Sequence, residues 1–330
     1  MKVGVVGCGF MGLTHLGAYA NMPNVEVVGV VDTRPDAAAA AAELATATPY
    51  PSYDEFVAAE EPDLIDICLP TSYHRHLAVR VAREGRHVIL EKPMARSLED
   101  ADRIIEAFSN SQGRLFVAHV VRFFPEYVQL KEMIDAGRFG EVGVVRTSRK
   151  APFVGGWNDW YANWQASGGL VLDMLVHDFD FLRWSFGEVE RVYAKSLLGR
   201  EYNRVDYALV TLRFRNSVIA HVEGHWGYPD PFWYSVEVAG TKALASVDSR
   251  KYAPARILVN ERTIASGNGE SPGSSLGQNP YQLELEHFVR CVETGEEPIV
   301  SEVDGYEALR ISLAATESAM SRVPISLRGS

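Results

Sequence analysis

The chain has 330 residues, 47% of them hydrophobic and 23% charged, a balance that excludes wholesale disorder. A formal charge of −11, from 32 basic against 43 acidic residues with no Lys/Arg cluster, argues against nucleic-acid or anionic-membrane binding. No apolar run approaches the roughly 18 residues of a membrane helix, and on a prior of roughly 150 residues per domain the length favours two domains.

The N-terminal third alternates strand and helix. Lys2–Val6 reads as a buried strand ending at a glycine cluster, followed by a helix from Leu13 to Asn21. Val25–Val31 is a second strand, ending at Asp32; Pro35 and the alanine run Ala37–Ala42 then favour a helix. Ser52 with Glu55 makes a capping box for a helix over Tyr53–Ala59. Leu64–Leu69 is a strand, His74–Glu84 a helix closed by Gly85, and His87–Leu90 a strand. Ser97 with Asp100 repeats the capping signature before a helix to Asn110, and Leu115–Ala118 completes the series. Repeated β-α-β units of this length predict a doubly wound parallel sheet with helices on both faces.

Near residue 120 the rhythm changes, which places a domain boundary there: 1–120, then 121–330. Pro125–Ala136 reads as a helix stopped by Gly137. Strands then dominate, over Val142–Arg149, Val189–Leu198, Val205–Phe214, Val218–Trp226, Trp233–Ala239 and Ala243–Val247. With few crossover helices, they predict a large, mostly antiparallel open sheet. Helices are expected over Asp173–Ser185, Pro280–Glu293 and Val303–Met320, and Gly267–Gly277 reads as a mobile loop.

Three motifs carry chemistry. Gly7-Cys8-Gly9-Phe10-Met11-Gly12 fits G-x-G-x-x-G between a strand and a helix, with Asp32 closing the second strand. Gly7 permits the tight turn, Gly9 lets backbone approach a pyrophosphate, and Gly12 allows close helix–strand packing. The helix N-terminus favours phosphate, while Asp32 can accept from ribose hydroxyls and would repel a 2′-phosphate, so NAD is favoured over NADP. Arg34 could stack on adenine or bind a 2′-phosphate. Next, Glu91-Lys92-Pro93 leaves a strand at the ligand-binding edge of the sheet, as a solvated salt bridge or as cleft residues with Lys92 aimed by Pro93. Finally, Gly168-Gly169-x-x-x-Asp173-x-x-x-His177-Asp178 puts Asp173 and His177 at i and i+4 on one expected helical face. Such a pair is a satisfied core pair or an acid/base site. No third ligand at suggestive spacing accompanies it, and the three cysteines, Cys8, Cys68 and Cys291, show no zinc or disulfide pattern, so no metal is expected.

In this order, with Pro70-x-x-x-His74 between the first two, the motifs resemble the glucose–fructose oxidoreductase / inositol dehydrogenase / rhizopine-catabolism (Gfo/Idh/MocA) family. The resemblance runs over nearly the whole chain, through Pro298-Ile299-Val300-Ser301 and the Asp304–Ser318 helix. It implies a Rossmann domain followed by an α/β domain with a large open sheet, and a homodimer or homotetramer through that sheet. The cofactor-binding residues it implies are Gly7, Gly9, Phe10, Met11 and Gly12; Asp32, Thr33 and Arg34; Leu69, Pro70, Thr71 and His74; and Glu91, Lys92 and Pro93.

The expected activity is hydride transfer between the nicotinamide and a secondary alcohol or ketone of a sugar or polyol. His177 would exchange the hydroxyl proton, Lys92 would donate to the reacting oxygen, and Asp173 would orient the hydroxyl or the imidazole. Substrate contacts are expected from Arg122, from Trp157, Trp160 and Asn163 in an aromatic stretch with Tyr161 and Trp164, and from Tyr281, with His225 and Trp226 behind them. The alternatives are a reductase of a dihydrodiol, an anhydro-sugar or a keto-sugar intermediate, and a non-catalytic cofactor-binding regulator. The N-terminus shows no signal-peptide core, so a cytoplasmic location is expected.

Overall fold

A computed structural model describes residues 1–197, 204–251, 255–259 and 279–328. The expected loop Gly267–Gly277, and the last residue of the strand expected to end at Leu198, lie outside the described residues. The chain forms two compact units. The first comprises Met1–Phe123, Gly156–Trp160 and Gly277–Tyr306; the second comprises Phe124–Gly155, Tyr161–Leu276 and Glu307–Ser330.

The first unit alternates β1 (Lys2–Val6), α1 (Phe10–Tyr19), β2 (Glu26–Val31), α2 (Pro35–Ala45), β3 (Thr48–Tyr50), α3 (Tyr53–Ala59), β4 (Leu64–Ile67), α4 (His74–Arg83), β5 (His87–Glu91), α5 (Leu98–Ser109) and β6 (Leu115–Ala118). All strands are parallel, in the order β3-β2-β1-β4-β5-β6. Strand order reverses beside β1, so the loops after β1 and β4 flank a topological switch point, where open α/β sheets bind ligands. β4 and β6 are buried at every position, as both-face coverage requires. Both N-caps form, Ser52 accepting from the Glu55 N–H and Ser97 from the Asp100 N–H. α1 begins at Phe10, earlier than the expected Leu13, because Gly9 is its N-cap and the glycine turn is tight. The short edge strand β3, which contains Pro49, is not legible in the sequence.

The second unit contains α6 (Pro125–Asp135), β7 (Val142–Ala151), α7 (Trp164–Ser167), α8 (Gly169–Asp173), α9 (Val176–Phe186), β8 (Val189–Ser196), β9 (Asp206–Phe214), β10 (Ile219–Trp226), β11 (Trp233–Gly240), β12 (Ala243–Asp248) and β13 (Ala255–Val259). After α10 (Pro280–Thr294), which clusters with the first unit, α11 (Glu302–Ser321) starts there and continues into the second, which ends with β14 (Ile325–Ser326). The eight-stranded sheet runs β13-β12-β11-β7-β10-β9-β8-β14, antiparallel apart from the parallel β7–β10 pair. β10 alternates, with Ala220, Val222, Gly224 and Trp226 buried and His221, Glu223 and His225 on the other, less covered face. A Cβ at Gly224 would lie 2.8 Å from the Leu175 side chain, so this glycine lets the α8–α9 turn settle directly on the sheet.

Candidate active site

In the first unit the site is built from the glycine turn. Gly7 has φ +99°, and its N–H donates to Val31 O at 2.8 Å. A Cβ at Gly12 would come within 2.0 Å of Gly7 O, so only glycine lets α1 pack this close to its own entry loop. At Gly9 a Cβ would meet nothing within 4 Å. Its backbone therefore faces open space at the N-terminus of α1, where no side chain caps the helix and no acidic residue occupies the first turn. Unopposed helix N–H groups beside an open backbone approach suit a pyrophosphate. Phe10 is exposed and Met11 half-buried beside this opening.

Asp32 follows β2. One carboxylate oxygen accepts from the Cys8 N–H at 2.9 Å, and the other from the Arg34 N–H at 2.9 Å. Arg34 also clamps the carboxylate side-on, at 3.1 and 3.0 Å. Burial opposes the charge, but these hydrogen bonds outweigh it and hold the carboxyl below its ordinary range. Arg34 thus sits on the group expected to read the ribose, and Thr33 is exposed beside it.

The loops after β4 and β5 are tied together by His74, whose ring nitrogens lie 2.8 Å from Leu69 O and 3.0 Å from Pro93 O. Burial pushes its pKa down. Pro70 is half-buried and Thr71 buried in the first of these loops. Glu91 is buried and accepts the Lys92 N–H at 3.0 Å, while Lys92 itself is half-buried.

In the second unit the expected continuous helix from Asp173 is broken. Asp173 ends α8 and His177 stands in the first turn of α9. Between them the Leu175 N–H reaches back five residues to Leu170 O at 3.1 Å, a π-type widening of the kind common at functional sites. The i, i+4 spacing therefore flanks a turn instead of marking one helix face. Asp173 is buried and His177 half-buried. The Leu170 N–H donates to Asp206 at 3.2 Å, anchoring the start of α8 to β9. Asp178, beside His177, accepts from buried Arg149 at 2.9 Å. The Arg149 guanidinium also lies 5.8 Å from the Phe232 ring centre and 5.6 Å from that of Tyr234. No sequence spacing signals this pair.

The candidate substrate residues divide. Trp157 and Trp160 cluster with the first unit, Trp157 exposed and Trp160 half-buried. Arg122 is buried, its guanidinium donating to Ile299 O at 2.7 Å and meeting Asp304 at 3.1 Å. Tyr281 opens α10, with its ring 6.2 Å from that of His15. In the second unit the Asn163 side chain caps α7, accepting from the N–H groups of Gln165 and Ala166. Trp164 is exposed, and Tyr161 packs edge-on against Trp226 at 5.9 Å. Trp226 shares the Gly224 face of β10, whereas strand alternation puts His225 on the opposite face.

Two clusters of ligand-type side chains occur among the described residues, His15/Asp66/Cys68 and His287/Cys291/Glu296. In the second, the Arg290 guanidinium lies 2.8 Å from His287 Nδ1 and 2.7 Å from Glu296, an opposing cation where a metal would sit. Burial pushes the Cys291 thiol up to about 11. None of the described helices is long and apolar enough to cross a membrane.

Comparison with known proteins matches both parts of the chain. Residues 1–119 match the GFO/IDH/MocA oxidoreductase family, NAD-binding Rossmann fold, and residues 127–246 match the GFO/IDH/MocA C-terminal domain. The chain is 30% identical to inositol 2-dehydrogenase of Rhizobium meliloti, covering 99% of each protein. It is 29% identical to myo-inositol 2-dehydrogenase of Thermotoga maritima, covering 96% of each. The crystal structure of the WlbA dehydrogenase from Bordetella pertussis in complex with NADH and UDP-GlcNAcA superposes with a TM-score of 0.85 at 28% identity, over 100% of this chain and 98% of that one.

Proposed function

Because the chain belongs to the GFO/IDH/MocA oxidoreductase family, we propose that it is an NAD-dependent dehydrogenase acting on a secondary alcohol of a polyol or sugar, of the inositol 2-dehydrogenase kind. The observation that carries this reading is the near full-length match to inositol 2-dehydrogenases, 96% to 99% of each chain, in a sequence that holds Lys92, Asp173 and His177.

The residues present fit the cofactor. Gly7, Gly9 and Gly12 with the start of α1 would hold the pyrophosphate, and Asp32 the ribose, with Leu69, Pro70, Thr71 and Pro93 lining the neighbouring loops. Bound NAD supplies a ring that accepts or returns a hydride. Lys92 donates a hydrogen bond to the substrate oxygen as negative charge develops there. His177 takes the hydroxyl proton in oxidation and returns it in reduction, and Asp173 orients the acceptor. The π-type turn and the seat at Gly224 hold Asp173 and His177 at their places on the second unit. Trp157, Trp160 and Asn163 supply aromatic and amide surface suited to a polyol, whereas Arg122 acts by bracing Asp304.

The test is NADH formation by the purified protein with myo-inositol and a polyol panel. His177→Ala should lower turnover by about 10²- to 10⁴-fold with NADH affinity retained. NADH binding without turnover on any substrate would overturn the enzyme reading in favour of a cofactor-binding regulator. A second reading, oxidation of a sugar nucleotide, is favoured by the similarity to WlbA, and a UDP-sugar panel separates the two. The reading extends to a cytoplasmic homodimer or homotetramer. Its support is three cysteines that are thiols and the less covered sheet face, where Leu209 and Ile219 are exposed. Light scattering of Leu209→Asp tests the assembly.

A further inference from the structure

The inner face of α1 carries Gly12, His15, Leu16 and Tyr19, all buried and lying at i, i+3, i+4 and i+7. Among them His15 is the polar surprise, fully buried. Its Nδ1 lies 2.8 Å from Asp66 Oδ2, and its Nε2, buried and outside hydrogen-bond geometry, lies 3.3 Å from Glu91 Oε1. The sheet register explains why both acids are there. Asp66 on β4 stands opposite Ile89 on β5, and Glu91 follows two residues later, so both carboxylates rise on the face that α1 covers. Tyr19 OH donates to Asp66 at 2.9 Å, and Cys68 Sγ lies 3.4 Å from the same carboxylate. The other Glu91 oxygen accepts the Lys92 N–H at 3.0 Å. One carboxylate therefore does two tasks, one oxygen turned to His15 and the other holding the backbone at Lys92.

We propose that His15 is a positioning residue for Lys92: wedged between Asp66 and Glu91, it sets the direction of the Glu91 carboxylate, which in turn holds the Lys92 backbone. The proposal rests on the reading of Lys92 as a catalytic residue and adds a group, one helical turn beyond the glycine cradle, through which the packing of α1 governs that lysine. Two buried carboxylates this close are costly without a positive partner, and the imidazole meets both. Burial opposes its charge, and Asp66 outweighs burial, raising the imidazole pKa well above the ordinary histidine value. Burial and Asp66 push the Cys68 thiol up, which keeps it protonated and a hydrogen-bond donor in this network.

Two near-isosteric variants divide the bridge. His15→Asn carries an amide nitrogen near the Nδ1 position and keeps the Asp66 contact; His15→Gln carries one near Nε2 and keeps the Glu91 contact. Amide hydrogen exchange across residues 87–97 reports on Lys92 whether or not the protein turns over. We expect faster exchange in His15→Asn and near wild-type exchange in His15→Gln, with NADH affinity unchanged in both. With NAD and myo-inositol, His15→Asn should lose about 10- to 100-fold in kcat at constant KM for NAD, and His15→Gln should restore most of it. If wild-type protein turns over no polyol, the functional reading fails while the exchange result still decides the role of His15. Equal exchange in the two variants, or losses of kcat that track melting temperature alone, would overturn the proposal. Should neither variant fold, long-range ¹⁵N–¹H spectra of histidine-labelled wild type at pH 8 decide: a proton held on His15 Nε2, facing Glu91, supports it, and an unprotonated Nε2 overturns it.

Discussion

Gly9 and Gly12 should fail in opposite ways when each is replaced by alanine. At Gly9 the backbone is extended, with φ −84°, and the new methyl would meet nothing within 4 Å. Alanine is unstrained there, and the reduced freedom of the unfolded chain should leave stability within about 1 kcal/mol of wild type, on the favourable side. The methyl instead enters the space through which backbone N–H groups reach a pyrophosphate. Losing one hydrogen bond to a charged group costs about 1.5–3 kcal/mol, which is about 10- to 150-fold in Kd. At Gly12 the new methyl would lie 2.0 Å from Gly7 O and 3.1 Å from Gly7 C. Backbone cannot yield as a flexible side chain can, so α1 must shift by about 1 Å, an overpacking cost of about 1–3 kcal/mol. Fluorescence titration with NADH and thermal denaturation separate the two effects. A Gly9→Ala protein that binds NADH as tightly as wild type, or that melts early, would refute the reasoning.

Three further outcomes are expected. Asp178→Asn leaves the buried Arg149 cation without its countercharge and should destabilise the protein by about 3–5 kcal/mol in urea denaturation, with Asp178→Asn/Arg149→Met recovering most of the loss. Asp304 is held at about 2: burial works against its ionisation, and Arg122 with the Ser301 hydrogen bonds outweighs burial. A depressed carboxyl contributes stability above its unfolded pKa, so about 2 kcal/mol present at pH 5 should disappear as pH falls from about 4 towards 2; Asp304→Asn should flatten that limb of an acid-denaturation curve. Asp32→Ala removes the group clamped by Arg34 and should shift the ratio of NADH to NADPH affinity by about tenfold towards NADPH, as read by parallel titrations.

Features that depend on local interactions can be read from the chain. The glycine turn, the strand-helix alternation of the first unit and the caps at Ser52 and Ser97 each depend on residues a few positions apart, and each is legible. The motifs holding Lys92, Asp173 and His177 are legible too, though on their own they leave a salt bridge and a core pair as open as an acid/base site. Tertiary structure decided the rest, because it rests on contacts between residues far apart in the chain. α10 joins the first unit because Phe288 stacks on Phe116 at 5.1 Å and Arg114 donates to Cys291 O. The helix through Asp173 breaks at a hydrogen-bond slip over a strand glycine, Gly224, that no local pattern marks. His15 reads as one polar residue on an apolar helix face until the sheet register brings Asp66 and Glu91 to it. Periodicity reports which face of an element is buried, whereas the identity of the charge waiting on the other side is set by pairing across the sheet.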